Sequence, residues 1–340
     1  MHMADALLSP GVGGTMWAAS AGAIAYCSRK IHADADNRKV PLMGVLGAFV
    51  FAAQMINFTI PGTGSSGHLG GGLLLAILLG PQAAFITIAS VLVIQALFFA
   101  DGGILALGCN IINMGFFSAF VAYPLIYRKI ANGKPGRMRM TVAAVAASVV
   151  GMQLGSMAVV LETFFSGVSE LPILKFALLM QPIHLAIGVV EGLVTAAVIT
   201  FIARARSDIL DCADNACVAK HTARNVVLAF LAAALVTGGA LSWYASRNPD
   251  GLEWAVARVT GQKEVRASGP VHSFISGLQN KIALMPDYAF RKDAAPDKMP
   301  DAQPHVPRAE TSVSGIAGGL MTLAMVLAIG FALRRRSEKG

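Results

Sequence analysis

Gly70-Gly-Gly-Leu-Leu-Leu-Ala-Ile-Leu-Leu-Gly80, followed at once by Pro81, is apolar throughout but only eleven residues long. A bilayer core takes about 20 helical residues to cross. The stretch therefore reads as a short crossing or as a re-entrant segment, and the choice sets the topology of the whole chain. On either side lie longer apolar runs, at 14–28, 41–58, 82–100, 104–127, 141–165, 182–203, 225–245 and 313–333. Cytoplasmic loops collect Lys and Arg, whereas long external segments escape that bias. Four basic clusters qualify: Arg29, Lys30, Arg38 and Lys39; Arg128, Lys129, Lys134, Arg137 and Arg139; Arg204, Arg206, Lys220 and Arg224; and Arg334, Arg335, Arg336 and Lys339. With all four in the cytoplasm the N-terminus is outside, and residues 59–127 must cross an odd number of times. Counting 70–80 as a crossing satisfies this and gives nine, seven in a first block and two in a second, with the C-terminus inside.

Composition agrees with a lipid environment. Of 340 residues, 55% are hydrophobic and 14% charged, against about a quarter charged in soluble domains, and the mean hydropathy is +0.62. The fold class expected is an all-α polytopic membrane helix bundle. The net charge of +8 does not point to nucleic acid, because so many of its cations sit in short clusters beside apolar runs. Cys27, Cys109, Cys212 and Cys217 have no CxxC spacing, so neither zinc nor a redox pair is indicated. Met-His-Met-Ala-Asp lacks a basic n-region and a small-residue cleavage site, so the first residues read as retained.

The two blocks divide at 1–222 and 223–340, and 246–312 reads as an extracytoplasmic insertion between the last two spans. Its Ala294–Pro307 portion, AAPDKMPDAQPHVP, reads as an extended Pro-rich linker. Small residues recur every fourth position at Ala143, Ala147, Gly151 and Gly155, and at Gly44, Ala48 and Ala52. Such ridges let membrane helices approach closely.

Chemistry begins at His2. A second-position His beside a free amine offers three nitrogens from one short segment: the α-amine, the His2 backbone nitrogen and the imidazole Nδ1. Binding through the amide requires its deprotonation, which a strongly Lewis-acidic ion such as Cu(II), Ni(II) or Co(II) drives, and planar nitrogen coordination suits Ni(II) and Cu(II). The Gly-rich loop Ile60-Pro-Gly-Thr-Gly-Ser-Ser-Gly-His68-Leu-Gly-Gly-Gly72 superficially looks like a phosphate loop, but no Gly-Lys-Ser/Thr ending follows. It reads instead as a compact irregular loop, tolerated at membrane depth when buried in protein, that presents His68 as a fourth nitrogen. The only reason the sequence offers for His2 and His68 to be ordered together is a shared ion. Gln54, Asn57, Gln95, Asn110, Asn113, Gln153, His184 and Glu191 lie inside spans. His184 and Glu191, seven apart on one helix face, read either as a buried hydrogen-bonded pair or as members of a supporting shell or pathway. Alanine at His272 or His305, both in the insertion, is expected to leave metal binding normal.

These residues resemble a known family, the substrate-specificity components of nickel and cobalt uptake systems of the energy-coupling-factor type. The resemblance runs through Met1-His2-Met-Ala-Asp-Ala-Leu-Leu-Ser-Pro10, Gln54-Met-Ile-Asn57-Phe, Pro61-Gly-Thr-Gly-Ser-Ser-Gly-His68-Leu, Leu79-Gly-Pro81, Asn110-Ile-Ile-Asn113-Met-Gly and His184-Leu-Ala-Ile-Gly-Val-Val-Glu191-Gly. It implies a metal held by Met1, His2 and His68, with Gln54, Asn57, Asn110 and Asn113 as a supporting shell. Pro249-Asp-Gly-Leu-Glu253 resembles the auxiliary component of such transporters, here fused.

The resemblance also implies a non-catalytic subunit of an ATP-driven importer, with a transmembrane coupling subunit and two ATPase subunits as partners. It implies Ni2+ or Co2+ as cargo with no permanent cofactor, and a bacterial cytoplasmic membrane location. The chain contains no Walker A sequence of its own, consistent with partners that supply ATP hydrolysis. A passive metal channel and an intramembrane metalloenzyme are the rivals. The enzyme lacks HExxH or a comparable three-ligand set.

Overall fold

The computed structural model describes residues 2–33, 39–133, 135–168, 171–205, 220–261, 269–291 and 308–337. Met1, Cys212, Cys217, His305 and the Pro-rich 294–307 stretch lie outside the described residues. The first block runs α1 (Pro10–Ala33), α2 (Lys39–Gln54), a hairpin of β1 (Phe58–Ile60) and β2 (Ser65–Gly67), α3 (Gly72–Leu79), α4 (Pro81–Phe98), α5 (Leu107–Ile130), α6 (Arg137–Ser166) and α7 (Ile173–Ala205). The second block comprises α8 (Lys220–Gly239), α9 (Gly251–Thr260), α10 (Pro270–Ile282) and α11 (Arg308–Ser337). The boundary expected at 222/223 thus falls inside the first turn of α8. Among the described residues, five helices are long and apolar enough to cross a membrane: α4, α5, α6, α7 and the Arg308–Ala332 part of α11. Exposed Phe164, Phe165, Leu174, Leu178 and Phe201 give α6 and α7 a surface suited to lipid.

The segment that decides the topology is an eight-residue helix. At 1.5 Å per residue α3 covers about 12 Å, short of a bilayer core, and all of its residues are buried. It does not begin at the surface, however. The Gly70 and Gly71 N–H groups bond Glu191, about 27 Å along α7 from Ile173 by helical rise. The 68–79 segment is therefore composite, a non-helical stretch at 68–71 followed by a short helix. Gly80 then turns the chain at φ 84°, and Pro81 opens α4 at a position where its missing N–H is not needed.

Both small-residue ridges are packing surfaces. Ala143, Ala147, Gly151 and Gly155 of α6 are buried. A Cβ on Gly188 of α7 would lie 2.8 Å from the Val149 Cα, so α6 and α7 meet nearly backbone to backbone. Gly44 and Ala48 of α2 receive α11 of the second block, with Gly44 against Leu323 and Gly319 against Ala48. The span expected from 182 begins earlier, at Ile173, because Pro182 is accommodated inside α7 instead of ending a helix before it. The insertion is not merely a polar connector: it contains α9 and α10, and α9 starts with a complete capping box between Asp250 and Glu253.

Candidate metal centre

The N-terminal segment is held by the protein around it. Met3 N–H donates to Asn110 Oδ1 at 2.8 Å, the Gly103 N–H donates to the Met3 carbonyl at 2.9 Å, and the Ala106 N–H donates to Asp5 Oδ1 at 2.9 Å. Met3, Leu7 and Leu8 are buried in an apolar cluster with Leu105, Phe176 and Leu252. A shared ion is therefore not the only cause of order at His2, contrary to the sequence expectation. His272, in the insertion, is also buried, and its Nε2 lies 2.8 Å from the Leu8 carbonyl oxygen.

His68 follows a hairpin, not an irregular loop. Phe58 pairs with Gly67 and Ile60 with Ser65 across a tip containing Gly62 and Gly64, both at φ 79°. The glycines serve close approach, not phosphate. A Cβ on Gly67 would strike Ile187, and Gly71 adopts φ 76° with Val50 Cγ1 2.6 Å from where its Cβ would be. Below His68, the Gly70 and Gly71 N–H groups donate to Glu191 Oε2 and Oε1, each at 3.0 Å.

The result is that His2 and His68 lie face to face, ring centroids 4.9 Å apart and planes 25° from parallel. Burial lowers the pKa of His2, and lowers that of His68 well below 6.5, so both imidazoles are neutral at physiological pH and keep a lone pair for a cation. For both to bind one ion, the rings must swing so that nitrogens converge in place of faces. A relay of amides leads away from His2. Its Nε2 is 3.1 Å from Gln95 Oε1, Gln95 Nε2 donates to Gln54 Oε1 at 2.8 Å, and Gln54 Nε2 donates to the Gly70 carbonyl at 2.8 Å. His2, Gln95, Gln54, the glycine loop and Glu191 thus form one continuous polar path.

Two carboxylates face the imidazoles. His2 Nδ1 lies 3.4 Å from Asp101 Oδ1. Asp250, of the second block, lines a narrow cavity with His68 and His184. Its Oδ1 accepts the Leu252 and Glu253 N–H groups at 2.8 and 2.9 Å. Desolvation pushes Asp250 upward, but the charges and donors it faces outweigh burial and hold it below the usual carboxylate range. The segment before α9 lies along the hairpin: the Ser66 N–H donates to the Pro249 carbonyl and Ser66 Oγ to the Asn248 carbonyl, each at 2.8 Å.

Of the expected supporting residues, Gln54, Asn110 and Glu191 connect to the imidazoles or to the segments that carry them. Asn113 bonds Glu162 at 2.7 Å and approaches Met3 Sδ at 3.8 Å. Asn57 contributes its backbone carbonyl, which accepts the Ser246 N–H. His184 and Glu191 do not form the pair that one reading suggested. His184 Nδ1 is 2.8 Å from the Met180 carbonyl of its own helix, and its Nε2 has no hydrogen-bond partner. Asp101 and Tyr288 are site residues that the sequence does not single out; the Tyr288 hydroxyl donates to Asp101 Oδ2 at 2.6 Å. Nothing local marks either residue, because they meet only through the fold. Among the described residues no group of three His, Cys, Asp or Glu side chains converges as a metal site, so a metal held here needs donors beyond those side chains.

Residues 2–209 match the family model described as the cobalt uptake substrate-specific transmembrane region, and residues 224–335 match the PDGLE domain. A putative fused nickel transport protein of Archaeoglobus fulgidus is 32% identical, covering 98% of both chains. A cobalt transport protein of Sorangium cellulosum is 29% identical over 62% of this chain and 95% of its own. The crystal structure of a truncated transition metal transporter superposes with a TM-score of 0.53 at 33% identity, covering 60% of this chain and 99% of that one.

Proposed function

Because the chain belongs to the family of cobalt uptake substrate-specific transmembrane regions and carries a fused PDGLE domain, we propose that it captures Ni2+ for import through its N-terminal amine, His2 and His68. Its relatives make it a membrane component of nickel and cobalt uptake. The observation that carries the finer reading is the pairing of two buried, neutral imidazoles from positions 66 residues apart, with ring centroids 4.9 Å apart. The amine of Met1 and the His2 amide nitrogen complete a four-nitrogen set of the kind Ni(II) prefers. In this reading the site faces outward, the C-terminus is cytoplasmic, and a coupling subunit with two ATPase subunits drives release inward. Gln54, Asn110 and Glu191 support the site by fixing the two segments that carry the imidazoles.

Titration of the purified chain with nickel and cobalt tests this directly. We expect one nickel per chain, yellow and diamagnetic as a planar complex. Residues added ahead of Met1 should abolish tight binding, whereas a C-terminal tag should not. His2→Ala and His68→Ala should each weaken it strongly, and the double variant little further, because contacts within one site are coupled. Unchanged affinity in His68→Ala contradicts the assignment. Cobalt is the rival cargo, since the relatives are named for both metals, and the two titrations decide between them.

A further inference from the structure

We propose that Asp101 is the carboxylate through which a hydrated divalent cation reaches His2, and that Tyr288 of the fused block aims it. The inference rests on the metal-capture reading above and adds the route by which the site loads.

The geometry singles out this carboxylate. Asp101 Oδ1 lies 3.4 Å from His2 Nδ1, the imidazole nitrogen that a chelate with the amine and amide would use, while Nε2 is occupied with Gln95. The Asp101 side chain keeps 26% of its surface exposed against 8% for His2, so it stands at the boundary between solvent and the buried imidazoles. An imidazole carries no negative charge with which to attract a distant cation. A boundary carboxylate does, and its oxygens take hydrogen bonds from the ion's water shell before any water is lost. From Asp101 to the first nitrogen the ion has no apolar gap to cross.

The second block fixes this side chain with unusual care. Tyr288 Oη donates to Asp101 Oδ2 at 2.6 Å, and its ring stacks on Phe99 with centroids 4.9 Å apart. The Leu284 and Met285 N–H groups donate to the Phe98 carbonyl, and the Asp287 N–H to that of Phe99. Among the described residues, those other than glycine with positive φ are Ala100, Asp287 and Tyr288, which flank this contact from both sides. Conformations of that kind persist where the surroundings over-determine them, commonly at functional sites. Because Tyr288 holds Oδ2, Asp101 presents Oδ1 to His2 in one fixed direction.

The test uses the full-length chain and nickel chloride alone, with association followed by stopped-flow absorbance at several ionic strengths. Asp101→Asn should slow association about tenfold at low salt and remove most of its salt dependence, while the spectrum of the final complex keeps its shape. Asp101→Glu, which restores the charge, should recover most of the rate. Tyr288→Phe should slow loading several-fold in the wild-type background and not at all in Asp101→Asn, because it acts through that carboxylate. Wild-type rates in Asp101→Asn overturn the inference, as does a changed spectrum, which would make Asp101 a permanent ligand. An effect of Tyr288→Phe that persists in Asp101→Asn overturns the aiming role. If the unmodified chain takes up neither nickel nor cobalt, the metal-capture reading itself falls. Normal nickel binding with indifferent Asp101 variants removes the loading route alone.

Discussion

His68, proposed above as a metal donor, shows how burial keeps an imidazole neutral. Its surroundings disfavour the charged imidazolium, so its pKa lies well below 6.5. In the unfolded chain the same ring titrates near 6.5. Between those two values the unfolded state binds more protons than the folded one, so stability rises with pH through the window. The contribution is complete above about 6.5 and is lost progressively as pH falls toward the folded value. We therefore expect histidine-selective NMR to find His68 neutral at pH 6.5, where an exposed histidine is half protonated. A half-protonated His68 at that pH contradicts the buried, lone-pair-bearing ring described above. At this scale the sequence was informative about candidate donors: His68 stood out because a glycine-rich loop leaves few other reasons for a histidine, and the structure brings His2 against it. Asp101 did not stand out, because a lone Asp after a span is common and its significance lies in what it faces.

Among elements, the glycine loop and α7 depend on one another. Glu191 accepts two consecutive backbone N–H groups, Gly70 and Gly71, inside the bundle. Glu191→Gln keeps the shape but turns one acceptor into a donor facing a donor. Such a buried mismatch costs about 1–3 kcal/mol. The helices should survive it, since α7 is also held by its close seam with α6, but the loop that carries His68 should loosen. We expect nickel affinity to fall about 10- to 100-fold, as is typical for groups that support metal ligands indirectly, with unchanged helical circular dichroism. Calorimetry alongside the spectrum checks both halves of that statement. The long helices were legible from hydropathy because lipid imposes a single rule on every span. The hairpin, the composite 68–79 segment and the helices of the insertion were not, because each is stabilised by contacts with distant parts of the chain. Ser65–Gly67 has no strand pattern of its own and becomes one by pairing with Phe58–Ile60 and meeting Asp250.

Across the whole molecule, the second block does two separate things to the first. Its helices α8 and α11 pack on α2, with α11 seated on the Gly44 and Ala48 ridge. Its insertion covers the imidazoles, with Asn248 and Pro249 on Ser66, Asp250 beside the cavity under His68, and Tyr288 on Asp101. These roles separate on truncation. Ending the chain after Ala223 bares an apolar α2 face, which lipid or detergent tolerates because tails are as apolar as the lost helices. The buried polar path from His2 to Glu191 lies wholly within the first block and should persist. What disappears is the cover. The truncated chain is therefore expected to bind one nickel with the same planar spectrum but to release it about tenfold faster to excess chelator. Nickel uptake by cells that also express the partner subunits should fall. Equal release rates for the truncated and full chains would show that the insertion does not cover the bound ion, and unimpaired uptake would show that the second block is dispensable for transport.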